Sequence, residues 1–521
     1  MLRRGHIQAS VRASVVVLIA LVCLLLIGGT IYSTAAQGSK ESKPVRLHAE
    51  TFAADAGEQS ASYPNCRFGV GGNVNGYDVI ALNAGWYLDW STQLSPMRPN
   101  GAEYVQVVRL QPDLYNGYTF TPTTATLQLV MGQNPGTTWL IGNEPDSPFQ
   151  DRLAPEQYAR AYHQLYYLIK QYDPSGRVGV GGIVQPTPLR LQYLDMILDQ
   201  YEQVYGERLP TDFWNIHSFI LREIDASDPE AFPNGPYAVW GAYIPPGITV
   251  TRGVLYTYSD MFSTAIFRHR LLDFRAWMRD RGERDKPLVI TEYGELFPYP
   301  PDIEPPPYQD ENGEYMTEAR VAAFMISTFD VLRNLADAAV GYPADENRLV
   351  QRWLWYSVSD TNFGGPLFDP NTHARRPLGN AFYSYTRAIS PGVDLLAVRV
   401  VADPPVISDT GQLQTTTLQA TISNIGNISI AQPISVAFYS GHPPAGTLIG
   451  TQAITSVLDG CAETAKTSVT WSNLAAGAHA MYVVVDPNDE IAETNSLNNQ
   501  IVGMFLVARQ RAYLPAVSNN Q

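Results

Sequence analysis

Between residues 67 and 358 the chain repeats one pattern, a short apolar β-rich run followed by a longer stretch with helical periodicity. Eight such runs can be counted, at 67–72, 85–90, 104–110, 138–142, 177–183, 213–219, 288–292 and 352–358. Parallel neighbours need a crossover of a dozen or more residues, usually a helix, so this alternation predicts an α/β architecture with parallel strands. Eight units fit a (β/α)8 TIM barrel, expected over residues 63–390. The first run, RFGVGG, is short and rich in glycine. Helices are expected over 153–172, 191–205, 265–281 and 317–336. In the first of these Pro155 lies in the opening turn, and Tyr158, Tyr162, Leu165 and Ile169 share one stripe. Asp173-Pro174 ends it, because the residue before a proline disfavours the helical region. Two long segments, 221–257 and the proline-rich 295–316, follow strands and are expected to rise over their C-terminal ends.

The pattern changes after the last run. From 393 to 508 helical periodicity disappears, and short alternating runs such as PISVAFYSG and AHAMYVVVDP are separated by turn residues. Residues 391–508 therefore read as a C-terminal immunoglobulin-like β-sandwich of about seven strands. Two folded units also suit a length of 521 residues, more than one core usually serves. At the N-terminus, Arg3 and Arg4 precede an apolar run from Ala13 to Tyr32, followed by the small residues Ser33-Thr34-Ala35-Ala36. Residues 1–36 fit either a cleaved signal peptide or a retained membrane anchor, with the rest of the chain extracellular or at the cell surface. Residues 37–62 read as a linker and 509–521 as an exposed tail. Cys66 and Cys461 are far apart in the chain, and sequence does not decide whether they pair.

Two strand runs end in an acid. TWLIGNEPD carries Asn143-Glu144-Pro145 at its end, and LVITEYG carries Glu292. Buried parallel strands are apolar throughout, so an ionisable group at their C-terminal ends needs a reason. These are the fourth and seventh runs, which a barrel places roughly opposite one another across one cleft. Glycosidic hydrolysis requires such a pair, one carboxyl protonated to donate to the leaving oxygen and one ionised. A separation near 5 Å implies a nucleophile and retention; about 6.5–9.5 Å leaves room for water and inversion. A lone NEP also fits a turn with a helix-capping acid, but the second motif arrives in the matching strand order.

Asn-Glu ending the fourth strand and Glu ending the seventh resemble the signature of the clan A glycoside hydrolases. The resemblance implies Glu144 as acid/base, Glu292 as nucleophile and Asn143 as a ligand of the substrate 2-hydroxyl. Within the clan, GWYLDW, IGNEPD, FWNIHSF and VITEYG together resemble the glycosyl hydrolase catalytic core family of β-1,3-glucanases. One position departs from it. The family places a tyrosine two residues after the strand-six histidine, where it touches the nucleophile; here His217 is followed by Ser218 and Phe219. Tyr293 or a loop tyrosine is then expected to orient Glu292. Further substrate-binding candidates are His217, for which a core role is equally open, Trp355 as a sugar platform, Trp86 and Asp89, with Arg109 a weaker one.

The remaining motifs are quieter. Gly179, Gly181 and Gly182 sit inside a strand pattern with no phosphate-binding continuation, so no nucleotide loop is read there. Eight histidines show no H-E-x-x-H spacing, and no G-x-S-x-G elbow appears. No metal and no cofactor is expected. A formal net charge of −15 repels phosphate backbones and argues against nucleic-acid binding. In the C-terminal region, Asn424-Ile425-Gly426-Asn427 and VVDPNDEIAETNSLNN resemble the CARDB family of adhesion-type sandwiches, which implies a spacer or wall-adhesion role. Asp486, Asp489, Glu490 and Glu493 could bind calcium by oxygen count, although a turn with solvated carboxylates is the simpler reading. The expected partner is a β-linked polysaccharide, with β-1,3-glucan first. Mannanase- or galactanase-like activity and a non-catalytic carbohydrate-binding adhesin are the rivals.

Overall fold

The computed structural model describes residues 62–115, 117–225, 227–228, 241–297, 308–408 and 411–508. Residues 1–36, expected to be a signal peptide or anchor, nearly all of the expected linker and the tail 509–521 lie outside them. Among the described residues no helix is long and apolar enough to cross a membrane. The described residues belong to one compact unit, Gln59–Gln521.

Each of the eight apolar runs carries a strand. β1 (Asn65–Gly71) and β2 (Ala84–Leu88) take the first two. The third run is divided at Val105 into β3 (Glu103–Tyr104) and β4 (Gln106–Asp113). It then folds back as β5 (Gly117–Thr121), an antiparallel hairpin arm that the alternation did not predict. β6 (Thr138–Ile141), β7 (Arg177–Val180), β8 (Trp214–His217), β9 (Leu288–Tyr293) and β10 (Arg352–Tyr356) complete the set. Between them run α1 (Thr124–Gln133), α2 (Pro155–Tyr172), α3 (Pro188–Tyr205), α4 (Thr264–Asp280) and α5 (Glu318–Asn334), with α6 (Pro377–Arg387) after β10. α2 and α3 open on prolines whose missing N–H would be unpaired there anyway, and Ser263 and Thr317 cap α4 and α5 with side-chain oxygens.

Pairing runs in the order β3-β2-β1-β10-β9-β8 in one sheet and β5-β4-β6-β7 in the other. All of these pairs except β4–β5 are parallel. Parallel bridges Gly179↔Phe213 and Ile183↔Ile216 join the β7 and β8 runs. Strand side chains alternate between two apolar layers. One faces the helices, where Trp353, Trp355 and Tyr293 meet the stripes of α2 to α6. The other joins Trp86, Leu88, Val107, Leu140, Phe213, Val289 and Leu354. The glycines of RVGVGG have a packing reason. A Cβ on Gly179 would lie 2.4 Å from the Phe213 ring, and one on Gly182 would lie 2.4 Å from His217 Cδ2.

Among the described residues the C-terminal part has eight strands, against an expected seven or so. They are β11 (Leu395–Asp403), β12 (Val406–Ser408), β13 (Gln414–Asn424), β14 (Ile434–Ser440), β15 (Thr447–Ile454), β16 (Glu463–Leu474), β17 (Gly477–Val485) and β18 (Gln500–Ala508). They form sheets ordered β11-β13-β16 and β12-β18-β17-β14-β15, with a common core that includes Leu418, Val436, Phe438 and Val483.

This β-rich part is fastened to the N-terminal ends of the parallel strands. Cys66 in β1 forms a disulfide with Cys461, bridging 395 residues of sequence. Beside it the Arg67 guanidinium donates to both oxygens of buried Asp345, at 3.0 and 2.8 Å, and to Ile425 O at 2.9 Å. Arg177, the first residue of β7, pairs with Glu463 at 2.7 Å. Tyr342 and Ala344 pack on Ile425 and Ala462.

Candidate active site

Glu144 stands just beyond β6, in the left-handed backbone region at φ 44°, and its N–H donates to Gly182 O at 3.0 Å. Such a conformation costs a non-glycine residue about 1–3 kcal/mol and persists only where the surroundings enforce it. Two buried acids do so. Asp151 accepts from the N–H groups of Asn143 (2.8 Å) and Leu110 (2.9 Å) while pairing with Arg109 at 2.7 Å. Asp146 accepts from Val184 N and pairs with Arg190, which is fully buried and also donates to Glu223 at 3.0 Å and to Tyr243 O at 2.6 Å. Burial raises both aspartates, against the opposing charges of Arg109 and Arg190.

Glu292 lies in β9 across from Glu144. One oxygen of each carboxylate and one nitrogen of His217 lie within 4.8 Å of one another. His217 is fully buried beneath both acids: Nδ1 is 2.9 Å from Glu144 Oε1, and Nε2 is 3.5 Å from Glu292 Oε1. Because the ring turns a different nitrogen toward each acid, one cation could take only one of them. Burial opposes the imidazolium, but the charge of Glu292 and the hydrogen bond and charge of Glu144 outweigh it and raise His217. Glu292 is pushed up to about 7, first by burial, with the Glu144 charge adding and His217 and the Trp90 N–H opposing. This titration belongs to a coupled site. Trp90 supplies the direct contact: its indole N–H donates to Glu292 Oε1.

The two acids open into a cavity of about 280 Å³. Arg109, Asn143 and Gln150 give it a polar side, and Trp90, Phe219, Leu296, Tyr356 and Phe363 give it an apolar one. Among the described residues Asn143 Nδ2 reaches the side chain of Gln150 alone, at 3.5 Å, so its amide has capacity left for a ligand.

Several sequence expectations are corrected. Trp355 is no platform. Its ring is fully buried against Tyr293 and Phe329, and its N–H donates to Gly365 O at 2.9 Å. Period two did put Trp353 and Trp355 on one face, but that face meets the helices; the next residue, Tyr356, lines the cavity. Tyr293 is buried on the same side, its hydroxyl toward Thr328 at 3.5 Å, and does not orient Glu292. Trp86 is fully buried in the inner layer with Arg352 over its ring at 4.7 Å. Asp89 holds its own loop, accepting from Ser91 Oγ, Gln93 Nε2 and the Tyr104 hydroxyl. His217 is buried between the acids rather than offered to a ligand. Trp90, Asp151 and Arg190 were missed, although Trp90 closes the GWYLDW run already singled out.

In the β-rich part Asp486 accepts from the N–H groups of Glu490 and Ile491, and Glu493 from Leu395 N and Asn499 Nδ2. Both acids therefore brace the turn, while Asp489 and Glu490 are exposed. Among the described residues Glu144, His217 and Glu292 are the one cluster with metal-ligand spacing.

No curated protein matches the chain. Among solved structures, it is similar to a GH128 endo-β-1,3-glucanase from Sorangium cellulosum, at 16% identity over 61% of this chain and 98% of that one, with a TM-score of 0.37. A second, from Amycolatopsis mediterranei in complex with laminaritriose, is 18% identical over 61% and 99%, also with a TM-score of 0.37. The CARDB domain of a Pyrococcus furiosus protein in complex with di-metal ions is 18% identical, covering 23% of this chain and 99% of that one, with a TM-score of 0.20. Residues 399–502 match the CARDB family model.

Proposed function

We propose that the protein is an extracellular retaining glycoside hydrolase that cuts a β-linked polysaccharide, β-1,3-glucan first, on a (β/α)8 barrel. The observation that carries the reading is the carboxylate pair: oxygens of Glu144 and Glu292 within 4.8 Å of one another, facing one cavity. That spacing suits direct attack and leaves no room for an interposed water. The pairing orders, the shared third strand and the two bridges from β7 to β8 support a closed ring. The disulfide supports an oxidising compartment, in keeping with the apolar N-terminal segment.

In the first step a lone pair of Glu292 forms a bond to the anomeric carbon. The glycosidic C–O bond breaks, and the leaving oxygen takes the proton of Glu144. In the second, Glu144 removes a proton from water, whose oxygen attacks the anomeric carbon and releases Glu292 as carboxylate. Asn143 is placed to meet the sugar hydroxyl next to the reacting carbon, and the aromatic side of the cavity suits the flat C–H face of a pyranose. The CARDB part, fastened away from the cavity, is a spacer or adhesion module.

The test is reducing-sugar release from β-1,3-glucan, β-mannan and β-1,4-galactan, comparing the protein with Glu292→Ala. Release from the glucan, reduced about 10³-fold or more in the variant, is expected for loss of a covalent nucleophile. Preference for another polymer would change the substrate. Binding with no release from any of them would favour the adhesin. Attack needs ionised Glu292 while Glu144 still carries its proton, so kcat/KM is expected to be bell-shaped in pH, its acid limb set by Glu292, which is pushed up to about 7 within the coupled site. A profile flat from pH 5 to 8 would contradict that assignment.

A further inference from the structure

Glu292 receives one hydrogen bond from a side chain among the described residues, and it comes from Trp90. The indole reaches it from just beyond β2, which pairs with β1, which pairs with β10, which pairs with β9. Its backbone is left-handed at φ 59°, unusual for so large a side chain. The turn carries the ring out of the strand and along the apolar side of the cavity, 5.6 Å from the Tyr356 ring. Among the described residues lining that side, no other side chain donates to Glu292. Phe219 has no polar atom, Tyr293 is on the helix side, and the Tyr356 hydroxyl donates to Asp360.

We propose that Trp90 is the positioning residue for the nucleophile, its indole N–H fixing Glu292 Oε1 so that Oε2 is the attacking atom. This rests on the hydrolase reading. The chemistry of the donor matters here. An indole N–H donates only, does not titrate in the working range and cannot rotate away from its ring plane, so it sets one carboxylate orientation at every pH. His217 Nε2 lies 3.5 Å from the same oxygen, so both neighbouring nitrogens sit at Oε1 and neither engages Oε2. In the second step the bond from Oε2 to the anomeric carbon breaks and its electron pair returns to the carboxylate. A donor already on Oε1 stabilises the charge as it reappears.

The test separates the N–H from the ring. Trp90→Phe removes both the donor and part of the ring wall. Replacing Trp90 by β-(3-benzothienyl)alanine keeps the shape and exchanges N–H for sulfur. On β-1,3-glucan both are expected to lower kcat at least about tenfold, with KM within about threefold for the isostere. Glu292 is faced by His217, Glu144, Arg109 and Trp90. Losing the donor alone should move the acid limb of the pH profile upward, which a merely structural defect would not do. An isostere with wild-type kcat and an unmoved limb would overturn the proposal.

A second readout needs no turnover. The indole ¹H–¹⁵N signal absent from Trp90→Phe should shift with pH through the Glu292 titration, and should stop doing so in Glu292→Gln. A signal indifferent to Glu292 would overturn the contact itself. A wild-type protein that cuts no glycan while this signal follows Glu292 would instead overturn the hydrolase reading, and the role of Trp90 with it.

Discussion

Arg190 shows how much the turn that carries Glu144 depends on single buried charges. It lies between Asp146 and Glu223 with no exposed surface, so removing it strands two carboxylates. Arg190→Met is expected to cost about 3–5 kcal/mol in denaturant unfolding. A loss below about 1 kcal/mol would mean that water reaches the acids. Glu295 is a second case. One of its oxygens accepts from Phe297 N, the other has no hydrogen-bond partner among the described residues, and burial pushes the group up to about 8 from an ordinary 4.5. A carboxyl raised by folding stabilises below its unfolded value and loses that contribution as pH rises toward the folded one. Stability should therefore fall between about pH 5 and 8, by up to about 1.4 kcal/mol per pH unit for this group. Glu295→Gln should match the wild type at pH 5 and exceed it at pH 8 in thermal unfolding; parallel curves would refute this. At this scale, the acids at strand ends were legible because ionisable groups are conspicuous in apolar runs. The aromatic bets were not, because Trp355 and Tyr356 differ only in which layer each faces.

β7 and β8 are matched as elements. Gly182 leaves room for the imidazole that β8 sends between the acids, so Gly182→Ala should press a methyl onto His217. The expected result is a loss of activity of at least about tenfold, with an overpacking cost of about 1–3 kcal/mol. Wild-type activity would show that His217 is free to move. Thr317 caps α5 by accepting from Arg320 N at 3.2 Å, and Thr317→Ala is expected to cost about 1 kcal/mol by denaturant titration. The eight strand runs could be read because each is a continuous apolar segment followed by helical periodicity. β5 could not, since GYTFT is short and mixed; its antiparallel pairing with β4 makes it a strand, and Tyr118 ties it to Gln164 of α2. β12 is only three residues long, too short to show a period.

The α/β and β-rich parts meet through contacts that include one covalent bond, the Arg67 cluster, the Arg177–Glu463 pair and a small apolar contact. Reduction, or Cys66→Ser with Cys461→Ser, is expected to lower unfolding stability by up to about 5 kcal/mol while leaving kcat within about twofold. A fall in kcat with the fold intact would show that the joint bears on the cavity. The two-part division was visible in the sequence as a change of period, but the pairing of the cysteines was not, because spatial proximity leaves no trace in spacing. The joint also defines a load path. Chain entering at Tyr63 reaches Cys66 three residues later, before β1 has run its length. A pull from the N-terminal side is there shared with the sandwich through the disulfide, at the strand ends opposite Glu144 and Glu292. Tension or shear applied from that side is thus carried across the base of the molecule and not through the two acids.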